Sequence, residues 1–144
     1  MHKFFLTLFI LSTSYISFGQ KVSFMDKLIS KKLIGEGKEL FYAGRTSEAM
    51  LTFKRAKLKN PNSGEAHYQL SIAQFYLRDY YNAHENARIA DQLISKKKDG
   101  EYFYYMGRIY HTVNLIDSAK LFYSMSKDKL GPRISKYYDL DILL

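Results

Sequence analysis

"EAHYQLSIAQFYLRDYYNAHENARIA", residues 65–90, is dense in rings yet keeps alanine at 73, 83, 87 and 90. Residues 101–126, "EYFYYMGRIYHTVNLIDSAKLFYSMS", align beneath it at a constant offset. Glu65 meets Glu101, Tyr68 meets Tyr104, Leu70 meets Met106, Ser71 meets Gly107, Ala83 meets Ala119 and Ala90 meets Ser126, each 36 residues on. Thirty-four residues upstream, Ser71 falls on Gly37, Ala83 on Ala49 and Ala90 on Ala56, within "GEGKELFYAGRTSEAMLTFKRAKLKNP". A self-similar unit of this length is the mark of a repeat architecture, and it has to be found before any other element is assigned.

Each unit reads as two helices. In the middle one the spacing predicts a first helix from about Ser63 to Leu77 and a second from about Tyr80 to Ser95. Apolar residues at 66, 70, 73 and 77, then at 80, 83, 87 and 90, follow the three-and-four rhythm of a buried helical face rather than strand alternation. Asn60-Pro61-Asn62-Ser63 and Lys98-Asp99-Gly100 separate the units with turn chemistry, and Ser63 is placed to cap the helix that follows. The small residues then have a cause. Two antiparallel helices approach closely where one presents a shallow surface, so Gly37, Ala49, Ser71, Ala83, Gly107 and Ala119 are expected to seat bulky groups from a neighbouring helix. Filling such a position with leucine costs roughly 1–3 kcal/mol.

This pattern resembles the tetratricopeptide repeat (TPR), a 34-residue helix-turn-helix unit. The middle unit matches in Ala66, Tyr68, Leu70, Ser71, Ala73, Asp79-Tyr80 and Ala83. The third matches in Tyr104, Met106-Gly107, Tyr110, Ala119, Tyr123 and Ser126. The first matches in Gly37, Gly44, Ala49, Phe53, Ala56 and Pro61, and departs at Glu36, where the family pattern has leucine. His67 and Phe103 replace the usual tryptophan, and Ala87 replaces an aromatic. The resemblance covers about residues 30–131 and implies an all-α fold: a right-handed α-solenoid of three repeats, at about 30–63, 64–99 and 100–131. Residues 20–29 would lead in, and 132–144 would form a capping helix or a tail. Pro132 suits the first turn of such a helix, with Ile134, Tyr137 and Tyr138 covering the flank of the last unit as solenoids require. The two extra residues between the second and third units are expected to lengthen a helix end near Lys96-Lys97-Lys98, where cations suit the carbonyl end of the dipole. "LGPRISKYYD" also resembles the junction in envelope proteins where such repeats give way to a β-propeller and a peptidoglycan-binding domain, which would make the chain a shortened relative.

The resemblance further implies a concave groove lined by the first helix of each unit. Carried over, its positions are Lys31, Ile34, Lys38, Phe41 and Tyr42, then Glu65, Tyr68, Ile72, Phe75 and Tyr76, then Glu101, Tyr104, Arg108, His111 and Thr112. The candidate peptide groove taken from these is Lys38, Phe41, Tyr42, Tyr68, Ile72, Phe75, Tyr76, Tyr104, Arg108 and His111. It is aromatic and mildly basic, suited to a protein or peptide partner of acidic character; any one of these residues can equally be interior padding. The lysine-and-asparagine clamp of one subclass is not expected, because Ile34, Lys38 and Gln69 occupy its positions.

Residues 1–19, MHKFFLTLFILSTSYISFG, have the layout of a secretory signal peptide. A basic start precedes the apolar run Phe4–Leu11, and Ser17 and Gly19 stand at minus three and minus one to a cut before Gln20. The rival reading is an N-terminal anchor, but Thr7, Ser12, Thr13, Ser14 and Ser17 interrupt the run and roughly 20 apolar residues span a bilayer. No stable membrane span is expected after cleavage. No cysteine follows the run, which excludes a lipidated N-terminal cysteine. The expected location is the periplasm or cell envelope of a Gram-negative bacterium.

The 144 residues hold no cysteine, which excludes disulfides, thiolate metal sites and a cysteine nucleophile. A net charge of +8 invites a nucleic-acid reading, but export argues against nucleic acid and favours acidic proteins, anionic glycans or a membrane surface. "HENAR" at 84–88 fails as a zinc-protease motif because Arg88 holds the second ligand position, and His67 reads as a packed core residue. No catalytic motif, cofactor or metal site is expected. Two functions remain: an exported, non-catalytic scaffold for a protein or peptide partner, or a structural envelope component that self-associates through its apolar end, Ile142-Leu143-Leu144.

Overall fold

The computed structural model describes the backbone of residues 21–95 and 98–137, and side chains as far as 131. Its described residues form six helices and no strand: α1 (Phe24–Tyr42), α2 (Thr46–Lys59), α3 (Gly64–Tyr76), α4 (Tyr80–Leu93), α5 (Gly100–Thr112) and α6 (Ile116–Tyr137). The signal-peptide segment, Lys96, Lys97, the side chains of Ile134 and Tyr137, and Tyr138 to Leu144 lie outside the described residues. The backbone breaks inside α6 at Gly131 (φ 73°, ψ 172°) and is helical on both sides of it.

The first helix of every unit is capped by a side chain one residue before its start. Ser23 Oγ accepts from Asp26 N (3.0 Å), Ser63 Oγ from Ala66 N (3.2 Å) and Asp99 Oδ1 from Tyr102 N (2.8 Å), each satisfying an orphan amide of the first turn. The second helices begin from a different device. At Gly44, Arg78 and Asn114 the backbone turns left-handed, with φ of 77°, 62° and 61°. The amide of each donates to the carbonyl three residues back, and the next amide to the carbonyl five back, as in Arg45 N to Leu40 O (2.9 Å), Asp79 N to Gln74 O (2.9 Å) and Leu115 N to Tyr110 O (3.0 Å). This is the Schellman closure, repeated three times. A left-handed arginine is unfavourable by roughly 1 kcal/mol, so Arg78→Gly should raise the urea midpoint by an amount equivalent to about 1 kcal/mol, and an unchanged or lowered midpoint would contradict that assignment.

Helices pair in sequence: α1 with α2, α3 with α4, α5 with α6, and α2 against α3 and α4 against α5 across units. Inside the hairpins the small residues do what their pattern predicts. A Cβ on Gly37 would lie 2.7 Å from Cδ1 and 2.9 Å from Cζ of Phe53, and one on Gly107 would lie 2.5 Å from Tyr123 Cδ1 and Cε1. Both rings are buried, at 1% and 2% exposure. Phe53 and Tyr123 occupy the repeat position that Ala87 holds in the middle unit, and there the opposing residue is Ser71 instead of glycine. Where the ring is lost, the Cβ returns.

The middle unit differs in a second way. His67, Gln74 and Asn86 are buried and joined. His67 Nδ1 lies 3.0 Å from Asn86 Oδ1 and its Nε2 3.0 Å from the Pro61 carbonyl oxygen, while Asn86 Nδ2 donates to Gln74 Oε1 (2.9 Å) and to the Asn82 carbonyl (3.0 Å). The matching residues are Leu33, Leu40 and Thr52 in the first unit and Phe103, Tyr110 and Phe122 in the third. In the third they form an aromatic cluster, with the Phe122 ring 5.0 Å from Tyr110 and 6.4 Å from Phe103. His67 is a packed core residue, as its repeat position implies.

The two extra residues do not lengthen a helix. α4 ends at Leu93, the counterpart of Lys59 at the end of α2, and Ile94 is already extended (φ −87°, ψ 101°). Ile94 folds over Gly64, whose absent Cβ would meet Ile94 Cγ1 at 2.5 Å. The surplus therefore sits in the connection to α5, where Lys98 Nζ reaches back to the Asp91 carbonyl (3.1 Å) and to Asp91 Oδ1 (2.7 Å). That ammonium serves the carbonyl end of α4 from the loop.

Candidate functional site

The spacing between units is uneven, and side-chain bulk explains it. α3 meets α2 with Ala66, Leu70 and Ala73, whereas α5 presents Tyr102, Met106 and Ile109 at the same repeat positions. The backbone of α5 accordingly packs less closely on α4 than that of α3 on α2. Between the first helices this leaves a recess of about 550 Å³. Its walls are Lys38, Phe41 and Tyr42 of α1, Glu65, Tyr68, Gln69 and Ile72 of α3, Ile94 and Asp99 of the connection, and Glu101, Tyr102 and Tyr105 of α5.

Rings dominate it. Phe41 packs edge-on against Tyr76 (5.3 Å) and Tyr42 (6.2 Å), the Tyr76 and Tyr105 hydroxyls are 3.2 Å apart, and Tyr68 lies against Tyr102 at 4.8 Å. Lys38 Nζ pairs with Glu65 Oε1 at 2.6 Å, and Gln69 Nε2 donates to the same oxygen at 3.0 Å. Burial, then the carboxylates of Glu101 and Asp99, pushes the Tyr68 phenol upward; burial, then Asp91, which accepts its proton at 3.0 Å, does the same to Tyr102. Burial raises Tyr123 to about 12, against a lowering influence of Arg108. The folded state holds these phenols neutral, so the stability they contribute is intact below the ordinary tyrosine value of 10.0 and lost as pH rises through the folded values. Stability in urea should hold up to about pH 10 and fall between there and 12, and the tyrosinate absorbance of these phenols should appear together with loss of helical circular dichroism. Full ionisation of all tyrosines in a still-helical chain would refute this.

Of the ten groove residues read from sequence, Lys38, Phe41, Tyr42, Tyr68 and Ile72 line the recess, and Tyr76 adjoins it through Phe41 and Tyr105. Phe75 is buried between units, its ring 4.7 Å below the Arg108 guanidinium. Tyr104 packs on the Ala119–Tyr123 cluster of α6, and His111 lies 6.3 Å from the Tyr123 ring. Tyr104 and His111 lie on the α6 side of α5, whereas Glu101, Tyr102 and Tyr105 form its wall of the recess. Gln69, Ile94, Asp99, Tyr102 and Tyr105 were not among the sequence candidates. Among the described residues that line this recess, one lysine, Lys38, stands against Glu65, Asp99 and Glu101, and Lys31 and Arg108 are not part of the lining.

No protein-family model matches the chain, and no curated protein matches it significantly in sequence. Solved structures do match its architecture, and they define the fold as that of the tetratricopeptide-repeat proteins, an all-α solenoid of helical repeats. One is the first TPR of Spaghetti (RPAP3) bound to the HSP90 peptide SRMEEVD, with a TM-score of 0.68 at 15% identity, covering 81% of this chain and 91% of that one. The Arabidopsis OM64 TPR domain gives 0.67 at 12% identity over 83% of this chain and 99% of that one, and the CopN–Scc3 complex 0.60 at 20% over 85% and 71%.

Proposed function

We propose that this chain is an exported, non-catalytic scaffold that holds a protein or peptide segment along the inner helices α1, α3 and α5. The observation that carries the reading is the open, ring-lined recess on those helices, with Tyr42 83% exposed at its rim. Exposed tyrosine supplies contact area at little entropic cost. A peptide-bound solved structure of the same architecture supports a binding role. The bound peptide there, SRMEEVD, carries three acidic side chains, whereas the recess of this chain presents three carboxylates of its own. An acidic segment would meet like charge in the recess, as would the phosphates of a nucleic acid. Export rests on the composition of residues 1–19, and a periplasmic reporter fused after residue 25 decides it.

A photo-crosslinking amino acid at position 42, on the inner helix, should capture a partner in intact cells. The same group at position 81, on the outer helix α4 and 74% exposed in the wild-type tyrosine, should not. Capture at 81 alone, or at neither, refutes the reading. A second function, end-to-end self-association, is favoured by the apolar flank that α1 leaves open at Phe24, Met25, Leu28 and Ile29. It requires a concentration-dependent oligomer in sedimentation that Leu28→Lys abolishes.

A further inference from the structure

We propose that the recess between α3 and α5 is a subsite for a basic side chain, taking the ammonium of a lysine or the guanidinium of an arginine carried by the bound segment. This rests on the interaction reading above and adds the chemistry of what the recess accepts. Three carboxylates line it, Glu65, Asp99 and Glu101, against one cation among the described lining residues, Lys38. Lys38 is already committed to Glu65 at 2.6 Å, so one of the three carboxylates holds an ammonium from the chain itself. Asp99 spends one oxygen on the Tyr102 amide, and Glu101 is exposed and forms no ion pair among the described residues. The described lining residues thus sum to a formal charge of about −2 in an aromatic recess, which favours a cation over an anion.

Tyr68 adds an independent observation. It is 8% exposed, lines the recess, and its hydroxyl has no hydrogen-bond partner among the described residues. No fully buried polar side-chain atom in the described residues lacks a partner. The Tyr68 oxygen is therefore the atom of that otherwise buried side chain that opens to the recess, and it stands ready to accept an N–H. Its ring and that of Tyr102, 4.8 Å apart, offer apolar walls to the methylenes of a long basic side chain. Pairing of cation and ring is already in use beside the recess. Lys98 Nζ sits 5.6 Å over the Tyr102 ring while paired with Asp91, and the Arg108 guanidinium 4.7 Å over Phe75. A third cation entering from a ligand would find carboxylate, phenol oxygen and ring face together.

Four peptides of the form acetyl-Gly-Gly-X-Gly-Gly-amide, with X lysine, arginine, norleucine or glutamate, test this by NMR on the full mature chain. The lysine and arginine peptides should shift the ring signals of Tyr68 and Tyr102 saturably, and more weakly as salt rises, while the norleucine and glutamate peptides leave them in place. Glu101→Gln, which alters an exposed side chain and no core contact, should weaken binding of the lysine peptide by roughly fivefold. Equal binding of norleucine or glutamate, an unchanged affinity in E101Q, or no shift with any of the four would overturn the subsite. The scaffold reading is decided apart from it, by whether adducts form at position 42.

Discussion

Phe53→Ala should lower the unfolding free energy by about 3–5 kcal/mol, and Gly37→Ala by about 1–3 kcal/mol, but the two together should cost less than their sum. Phe53 is 1% exposed, and its ring rests on the bare backbone of Gly37. Removing the ring leaves a cavity between α1 and α2. Adding a methyl to Gly37 drives it into a ring that has no room to turn aside. That collision outweighs the gain of up to about 1 kcal/mol that alanine ordinarily brings to a helix interior. In the double variant the methyl occupies part of the space the ring vacated, an arrangement the middle hairpin already uses with Ser71 and Ala87. Urea titrations of the four proteins give the coupling, expected at about 1–2 kcal/mol in favour of the pair. Strict additivity would mean that the glycine and the ring do not answer to each other.

The second large effect belongs to Asn86. Its side chain bridges His67 and Gln74 in the buried middle of the molecule, so Asn86→Ala strands polar groups on both neighbours. The expected cost is about 3 kcal/mol, from roughly 1–3 kcal/mol for each buried group left unpaired. Replacing all three residues with those the third unit uses, by His67→Phe, Gln74→Tyr and Asn86→Phe, should recover most of the loss, because an apolar set of suitable shape does not need the network. Thermal unfolding of the single and triple variants makes the comparison. If Asn86→Ala melts within a degree or two of wild type, the network is incidental to stability.

Much of the fold was legible because it rests on side-chain size at repeated offsets. Gly37, Ala49, Ala83, Gly107 and Ala119 announced where helices meet, and Ser63 announced where one begins. The hairpin turns were only partly legible. Gly44 is a recognisable left-handed residue, but Arg78 and Asn114 take the same conformation, with Arg78 forced into it by the closure on both sides. The surplus of two residues was visible as an offset of 36, and its placement was not. Lysines at 96–98 suit a helix end, yet Ile94 leaves the helix to cover Gly64. The recess was harder still. Lys38, Phe41, Tyr42, Tyr68 and Ile72 follow from a uniform stack. Asp99, Tyr102 and Tyr105 enter because the third hairpin stands off from the second, a distance set by how Tyr102, Met106 and Ile109 pack, which no single position declares.

Met106 and Ile109 do not line the recess; they pack behind it, in the core between α5 and the hairpin before it. They act as shims, and their bulk sets how wide the mouth gapes. Affinity in such a molecule can be retuned from behind: trimming a shim would narrow the aperture without touching one atom that a bound segment meets, and thickening it would admit a stouter guest. Selection acting on groove preference has a lever there that a survey of contact residues would pass over.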